Sequence, residues 1–303
     1  MDPSPNSFTP SVLTVEDCCT KITQLLESAH LHYGHGANNA QSEALWIVSK
    51  QLGISPTEAL DLGDKPLSAK MTQDAINIAQ QRISRREPLA YLLGEAWLMG
   101  IPFDCTSQSI IPRSFIAELI VHGELDPWLP ADGKVLDLCT GNGSLAILTA
   151  LHYPDLRITA SDLSLPALAL AARNVERHHV NNQIELLHGD LWNALPDTDE
   201  DHRFDLIICN PPYVNEASMR ALPPEYQAEP REALAGGLNG MDIITRIIAG
   251  AADYLNERGA LVLEIGNEYE YFHQAFPHIP AIWLEVSAGD QQVCIILAED
   301  LQK

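Results

Sequence analysis

Basic side chains are scarce in this chain: 18 Lys and Arg stand against 41 Asp and Glu, a formal net charge of −23 over 303 residues. Such a surface repels a phosphate backbone at long range and steers in cationic partners, so a basic protein partner is expected and direct nucleic-acid binding is not. The six cysteines include no CxxC pair, and no histidine lies at zinc spacing from them, which argues against a disulfide framework and against a structural metal. Aromatic residues are only 6% of the chain, and no apolar run approaches the length of a membrane span. The first ten residues, MDPSPNSFTP, lack a basic n-region and an apolar h-region, so a cytoplasmic protein without a membrane anchor is predicted, with a Pro/Ser-rich tail at its start. What the chain does have is a 46% hydrophobic content, enough for a globular core and too much for disorder.

The length is about twice that of a typical domain, which favours two. Residues 1–94 read as a small helical domain. Thr14-Val-Glu-Asp17 has the form of a capping box opening a helix toward His32, and further helical patterns cover residues 40–52 and 72–86. In the last of these Ile76, Ala79 and Ile83 share one face, while Gln80, Gln81 and Arg82 are expected to face away. Residues 95–125 read as a hairpin-like connector: short extended pieces with Gly100, Pro102 and Pro112, and a helix resuming at Phe115.

Residues 126–303 alternate strand and helix. Strands are predicted at 135–138, 157–161, 183–188, 205–209, 260–265, 281–286 and 292–298, with helices at 145–151, 166–179, 242–256 and 269–276. Repeated β-α units imply a parallel sheet covered on both faces. The last two strands are separated only by SAGDQQ, too short for a crossover helix, so the final strand should pair antiparallel.

Chemistry concentrates at the strand ends. VLDLCTGNGSLAI runs from strand to helix through Gly141 and Gly143, whose backbones can approach a ligand closely before a helix N-terminus. That geometry suits an adenosine-bearing cofactor. Gly141, Gly143 and Ala146 also satisfy the dinucleotide fingerprint, and Asp162 follows at the matching distance, so the loop by itself does not separate NAD from S-adenosylmethionine. Asp162, closing the second strand, can accept ribose hydroxyls. Asp190 ends the third strand where adenine should lie, with Leu191 beside it as an apolar contact. In a doubly wound sheet the fourth strand adjoins the first, so Asn210, at the end of FDLIIC, should lie beside the cofactor's reactive end.

Asn210-Pro211-Pro212-Tyr213 resembles the motif of class I S-adenosylmethionine-dependent methyltransferases that modify planar NH₂ groups. Such nitrogens are poor nucleophiles, and two acceptors, the Asn210 side-chain oxygen and the Pro211 carbonyl, would orient the lone pair. Paired prolines hold that carbonyl, and Tyr213 would offer a flat face. REPLAYLLGEAWLMGIPFDCTSQSIIPRSFIAELI and EPREALAGGLNGMDIITRII are similar to the flanking segments of the glutamine methyltransferases that act on translation proteins. Pro112-Arg113-Ser114 and Asp137-Leu138-Cys139-Thr140-Gly141 resemble the branch acting on large-subunit ribosomal protein L-three rather than the release-factor branch, although Phe115, Ala117 and Asn142 depart from its usual proline, glycine and serine.

The resemblance implies a class I methyltransferase fold, with a seven-stranded mostly parallel sheet and an antiparallel last strand, and a helical N-terminal substrate-recognition domain. It implies S-adenosylmethionine as cofactor, held by Asp137, Cys139, Thr140, Gly141, Asn142, Gly143, Asp162, Asp190, Leu191 and Asn210, and catalysis by Asn210, Pro211, Pro212 and Tyr213. Release factors and adenine in nucleic acid remain alternative substrates; the net charge disfavours the latter. A cofactor-binding protein without catalysis and an NAD-dependent oxidoreductase are the readings from other classes. Cys139 stands where many methyltransferases have a glycine, which should make the loop's first turn less permissive. The length of residues 214–237 suggests a lid over the substrate.

Overall fold

The computed structural model describes residues 13–196 and 203–301; the expected N-terminal tail lies outside the described residues. The chain divides into two compact units, Met1–Leu93 and Gly94–Lys303.

The first unit is helical. Thr14 caps α1 (Val15–Glu27) with the reciprocal Asp17 bonds its sequence predicts. The helix stops at Glu27, short of His32, because the chain turns through Ser28 and His30, the latter at φ 48°. α2 (Ala40–Leu52) occupies the predicted range between an Asn39 cap and a left-handed Gly53. α3 (Pro56–Leu60) and α5 (Leu89–Leu93) are too short for periodicity to reveal. α4 (Ala69–Arg85) packs on α1 and α2, and Ile22, Leu26, Ile47, Ala75 and Ala79 are buried there. Its buried face is rotated from the predicted one. Arg82, expected in solvent, is fully buried, because its guanidinium pairs with the buried carboxylate of Glu43 at 3.1 Å and donates to the His32 carbonyl at 2.8 Å.

The second unit opens with a hairpin, β1 (Glu95–Leu98) antiparallel to β2 (Ile101–Asp104), turning through Met99 and Gly100 at φ 49° and 77°. After α6 (Ile116–Val121) come β3 (Lys134–Leu138), α7 (Ser144–His152), β4 (Arg157–Asp162), α8 (Leu165–Arg177), β5 (Ile184–His188) and β6 (Phe204–Cys209). Then follow α9 (Glu216–Ala221), α10 (Asp242–Tyr254), β7 (Leu255–Glu264), α11 (Tyr269–Ala275), β8 (Ile282–Val286), β9 (Gly289–Leu297) and α12 (Ala298–Leu301).

Seven strands form one sheet in the order β5-β4-β3-β6-β7-β9-β8, and β9 runs antiparallel to both β7 and β8. Apolar clusters cover both faces, as continuous runs such as LIIC in β6 require. The order of winding reverses between β3 and β6, which pair in parallel with Leu138 opposite Cys209. In open α/β sheets the crevice at such a reversal, beyond the carboxyl ends of the strands, receives ligands.

Candidate functional site

A cleft of ≈ 330 Å³ lies at that reversal. Leu138, Cys139 and Gly141 line it from β3, Ser161 and Asp162 from β4, Asp190 and Leu191 from the turn after β5, and Asn210 and Pro212 from the end of β6. A smaller hollow of ≈ 40 Å³ shares Cys139, Gly141 and Asn210 with it and adds Thr140 and Asn142. A hollow of ≈ 410 Å³ at the opposite strand ends, lined by Lys134, Arg157 and Phe204, lies away from the reversal and from the predicted site residues.

The glycine loop is held from several sides. Cys139 takes φ 63°, the left-handed conformation that a glycine adopts freely and that costs an L-residue about 1–2 kcal/mol. Gly141, at φ 58°, donates its N–H to Asp162 at 2.8 Å, and a Cβ there would come within 2.9 Å of the Ser109 hydroxyl. Gly143 does not line the cleft. It starts α7 at φ 83°, where a Cβ would press on Ala171 of α8 at 3.2 Å. Asn174, fully buried on α8, donates to the Asn142 carbonyl at 3.0 Å and accepts the Asp104 N–H at 2.7 Å, tying the loop to the hairpin.

Asp137 lies beneath the loop, 1% exposed. One oxygen accepts the Thr140 hydroxyl at 2.5 Å and the Ala146 N–H at 3.0 Å; the other, Oδ1, is buried with no partner among the described residues. Burial pushes its carboxyl up from 3.8 to about 7, against the pull of those two donors. Asn142 Nδ2 and Ser161 Oγ are likewise buried without partners among the described residues. Orphaned polar atoms of this kind cost free energy unless a ligand satisfies them, and these three belong to residues on or beneath the cleft walls.

Asp162 is not the cap of α8; Ser164 is, accepting from Ala167. The Asp162 carboxylate, on the cleft wall, accepts from Gly141 on one oxygen and from Ser164 N on the other, each at 2.8 Å. Burial raises its pKa, and the Ser164 and Gly141 N–H groups oppose the rise. Asp190 reaches the cleft, but its carboxylate pairs with Arg246 of α10 at 2.7 Å. Leu191 is buried beside it with φ 51°, a second left-handed non-glycine residue at the cleft.

Pro211 is buried, and neither it nor Tyr213 lines the cleft. The Tyr213 ring lies against Gly266, where a Cβ would come within 2.5 Å of Cε2. Residues 214–237 form a loop closed at its neck, where Val214 bridges Ala235 and Gly236 N donates to the Val214 carbonyl at 2.9 Å. Pro230, Glu232 and Ala233, from its returning limb, line the cleft. Arg113 is committed to this loop: it pairs with the fully buried Glu229 carboxylate at 2.7 Å and lies 5.6 Å from the centroid of the Tyr226 ring.

The Methyltransferase small domain family matches residues 119–224, and the PrmC N-terminal domain matches residues 22–94. A relative in Bordetella pertussis named "Ribosomal protein uL3 glutamine methyltransferase" is 40% identical over 98% of this chain and 99% of its own length. One of the same name in Burkholderia pseudomallei is 42% identical over 99% of this chain and 98% of its own. The chain belongs to the ribosomal protein uL3 glutamine methyltransferase family. Among solved structures, the hMettl16 catalytic domain in complex with MAT2A 3'UTR hairpin 6 is similar in fold, with a TM-score of 0.50 and 13% identity over 76% of this chain and 81% of that one.

Among the cleft-wall residues that the sequence does not single out are Ser109, Ser161, Glu232 and Ile243. Ser161 had a local signal, since it precedes Asp162 at a strand end. Glu232 and Ile243 follow β6 by many residues and reach the cleft only through the folding of the loop and of α10. No helix among the described residues is long and apolar enough to cross a membrane.

Proposed function

We propose that this chain transfers a methyl group from S-adenosylmethionine to the side-chain amide nitrogen of a glutamine in ribosomal protein uL3, in the cytoplasm and without binding nucleic acid itself. The observation that carries the reading is Asn210 at the lip of the reversal cleft, in a chain similar along almost its whole length to relatives named for this activity. A net charge of −23 suits a basic protein partner. The helical unit, which matches the PrmC N-terminal domain, is the candidate for substrate recognition.

The residues present fit the cofactor. Asp162 would take the ribose hydroxyls on its remaining lone pairs, and Leu191 would face the adenine, with Asp190 bridging to Arg246 at its edge. Asp137 Oδ1 and Asn142 Nδ2, both left unsatisfied, suit the ammonium and carboxylate of the methionine portion. Bound S-adenosylmethionine supplies an electrophilic methyl carbon on a sulfonium. The chain's own work is orientation: Asn210 Oδ1 and the Pro211 carbonyl accept the two amide N–H bonds of the glutamine and turn its lone pair toward that carbon. Pro212, on the cleft wall, and the loop residues Pro230 and Ala233 exclude water. No strong base is required, because the nitrogen becomes acidic as it gains the methyl carbon.

Labelled methyl transfer from S-adenosylmethionine into purified uL3, release factor and RNA, side by side, tests the reading. Label in a glutamine of uL3, located by fragmentation, is expected. Label confined to release factor or RNA overturns it.

Two further results are expected. Asp162→Ala weakens S-adenosylmethionine by about 1.5–3 kcal/mol in calorimetry, from lost charge-assisted hydrogen bonds; unchanged affinity would reduce Asp162 to a brace for Gly141. For Asp137 the sign follows from its raised pKa. Its contribution to stability is fully present below 3.8 and is lost as pH rises through about 7. Asp137→Asn therefore melts higher than the native chain at pH 8, and the advantage shrinks steadily as pH falls toward 4. The same ionisation favours a cationic ammonium, so native cofactor affinity rises relative to the variant's from pH 6 to pH 8. Parallel pH profiles of binding would remove Asp137 from the site.

A further inference from the structure

Glu264 ends β7, one residue beyond the Cys209–Leu263 pair that closes the β6–β7 ladder, and so lies beside the start of the Asn210 segment. It is 2% exposed. A buried carboxylate persists only where donors satisfy it, and these donors come from two distant segments. Oε2 accepts the Ser114 hydroxyl at 2.6 Å and the Phe115 N–H at 2.9 Å; Oε1 accepts the Tyr213 hydroxyl at 3.2 Å. Burial raises the Glu264 pKa, and Ser114, Phe115 and Tyr213 pull against the rise.

Tyr213 is fixed by more than its hydroxyl. Its ring rests on Gly266, and its backbone passes so near Gly236 and Gly240 that a Cβ on either would come within 2.7 Å and 2.2 Å of it. The segment between is Asn210-Pro211-Pro212, bounded on one side by the last residue of β6. A short stretch with two φ angles fixed by proline is immobilised once both ends are held. The strand holds one end; the Tyr213 contacts hold the other.

We infer that Glu264 is a positioning residue for methyl transfer: through the Tyr213 hydroxyl it pins the far end of the Asn210–Pro212 segment and so fixes the two acceptors that orient the glutamine amide. The inference rests on the proposed role of Asn210. It assigns Tyr213 the work of a strut, which accounts for its absence from the cleft wall. Ser114 and Phe115 join the same carboxylate, so the connector and the acceptor segment share one anchor.

Tyr213→Phe deletes only the hydroxyl. Glu264→Gln keeps the shape and removes the acceptor facing Tyr213. Each is expected to lower kcat by about tenfold or more, as small misplacements of reacting groups do, with S-adenosylmethionine affinity unchanged. The double variant should be no slower than the slower single one, because both act through one hydrogen bond. Amide exchange at residues 213–215 should quicken in Tyr213→Phe. A native kcat in Tyr213→Phe, or fold-losses that multiply in the double variant, overturns the inference; should Glu264→Gln fail to fold, Tyr213→Phe decides alone. If the native chain transfers no methyl to uL3, the proposed function fails, and exchange at residues 213–215 then decides this inference: quickened exchange sustains the strut and unchanged exchange overturns it.

Discussion

Asn210→Ala lowers the rate of methyl transfer to uL3 by about a hundred- to a thousandfold while S-adenosylmethionine affinity stays within about tenfold. The lost atoms are an acceptor for the target amide. The backbone that carries them remains held, by the β6 ladder before it and by the Tyr213 contacts after it. Cofactor contacts proposed for Asp162 and Leu191 come from other strands and are untouched. Single-turnover transfer of labelled methyl, measured beside calorimetric titration of the cofactor, separates the two effects. A variant that turns over at near-native rate would remove Asn210 from the chemistry. A variant that loses affinity and rate equally would make it a cofactor ligand instead.

Glu43→Ala destabilises the helical unit by about 3–5 kcal/mol, because it withdraws the carboxylate that balances a fully buried guanidinium. Arg82 keeps its bond to the His32 carbonyl, but a neutral oxygen does not offset the cost of an ion held away from water. The readout is hydrogen exchange resolved by segment: amides of α2 and α4 lose protection, whereas those of β3 and β6 keep theirs. Undiminished protection in α2 and α4 would show that the charge of Arg82 is balanced by other means.

Much of this architecture could be read from local sequence. The Thr14 box, the helical pattern of residues 40–52, the strand-to-helix turn at Gly141 and the short link before β9 each act within a few residues, where side-chain chemistry and backbone geometry are coupled directly. The place of Asn210 on the cleft wall follows from the sheet order, in which the fourth strand adjoins the first. What escaped depends on distant partners. Local sequence places Arg82 in solvent because nothing near it announces Glu43, and the buried face of α4 is turned by that pair. The engagement of Asp190 with Arg246 and of Arg113 with Glu229 joins residues that only the sheet order and the loop bring together. At Cys139 a glycine-like conformation is carried by a residue that disfavours it, so composition pointed toward stiffness and tertiary structure imposed the turn regardless.

The neck of the 214–237 loop has a consequence for how such a chain can change over time. Below the neck lie the acceptors. Above it α9 contributes no buried residue, so its side chains answer to no core. Substitutions on that helix carry almost no folding penalty. The sequence of that helix can therefore drift while the fold beneath it stays constant.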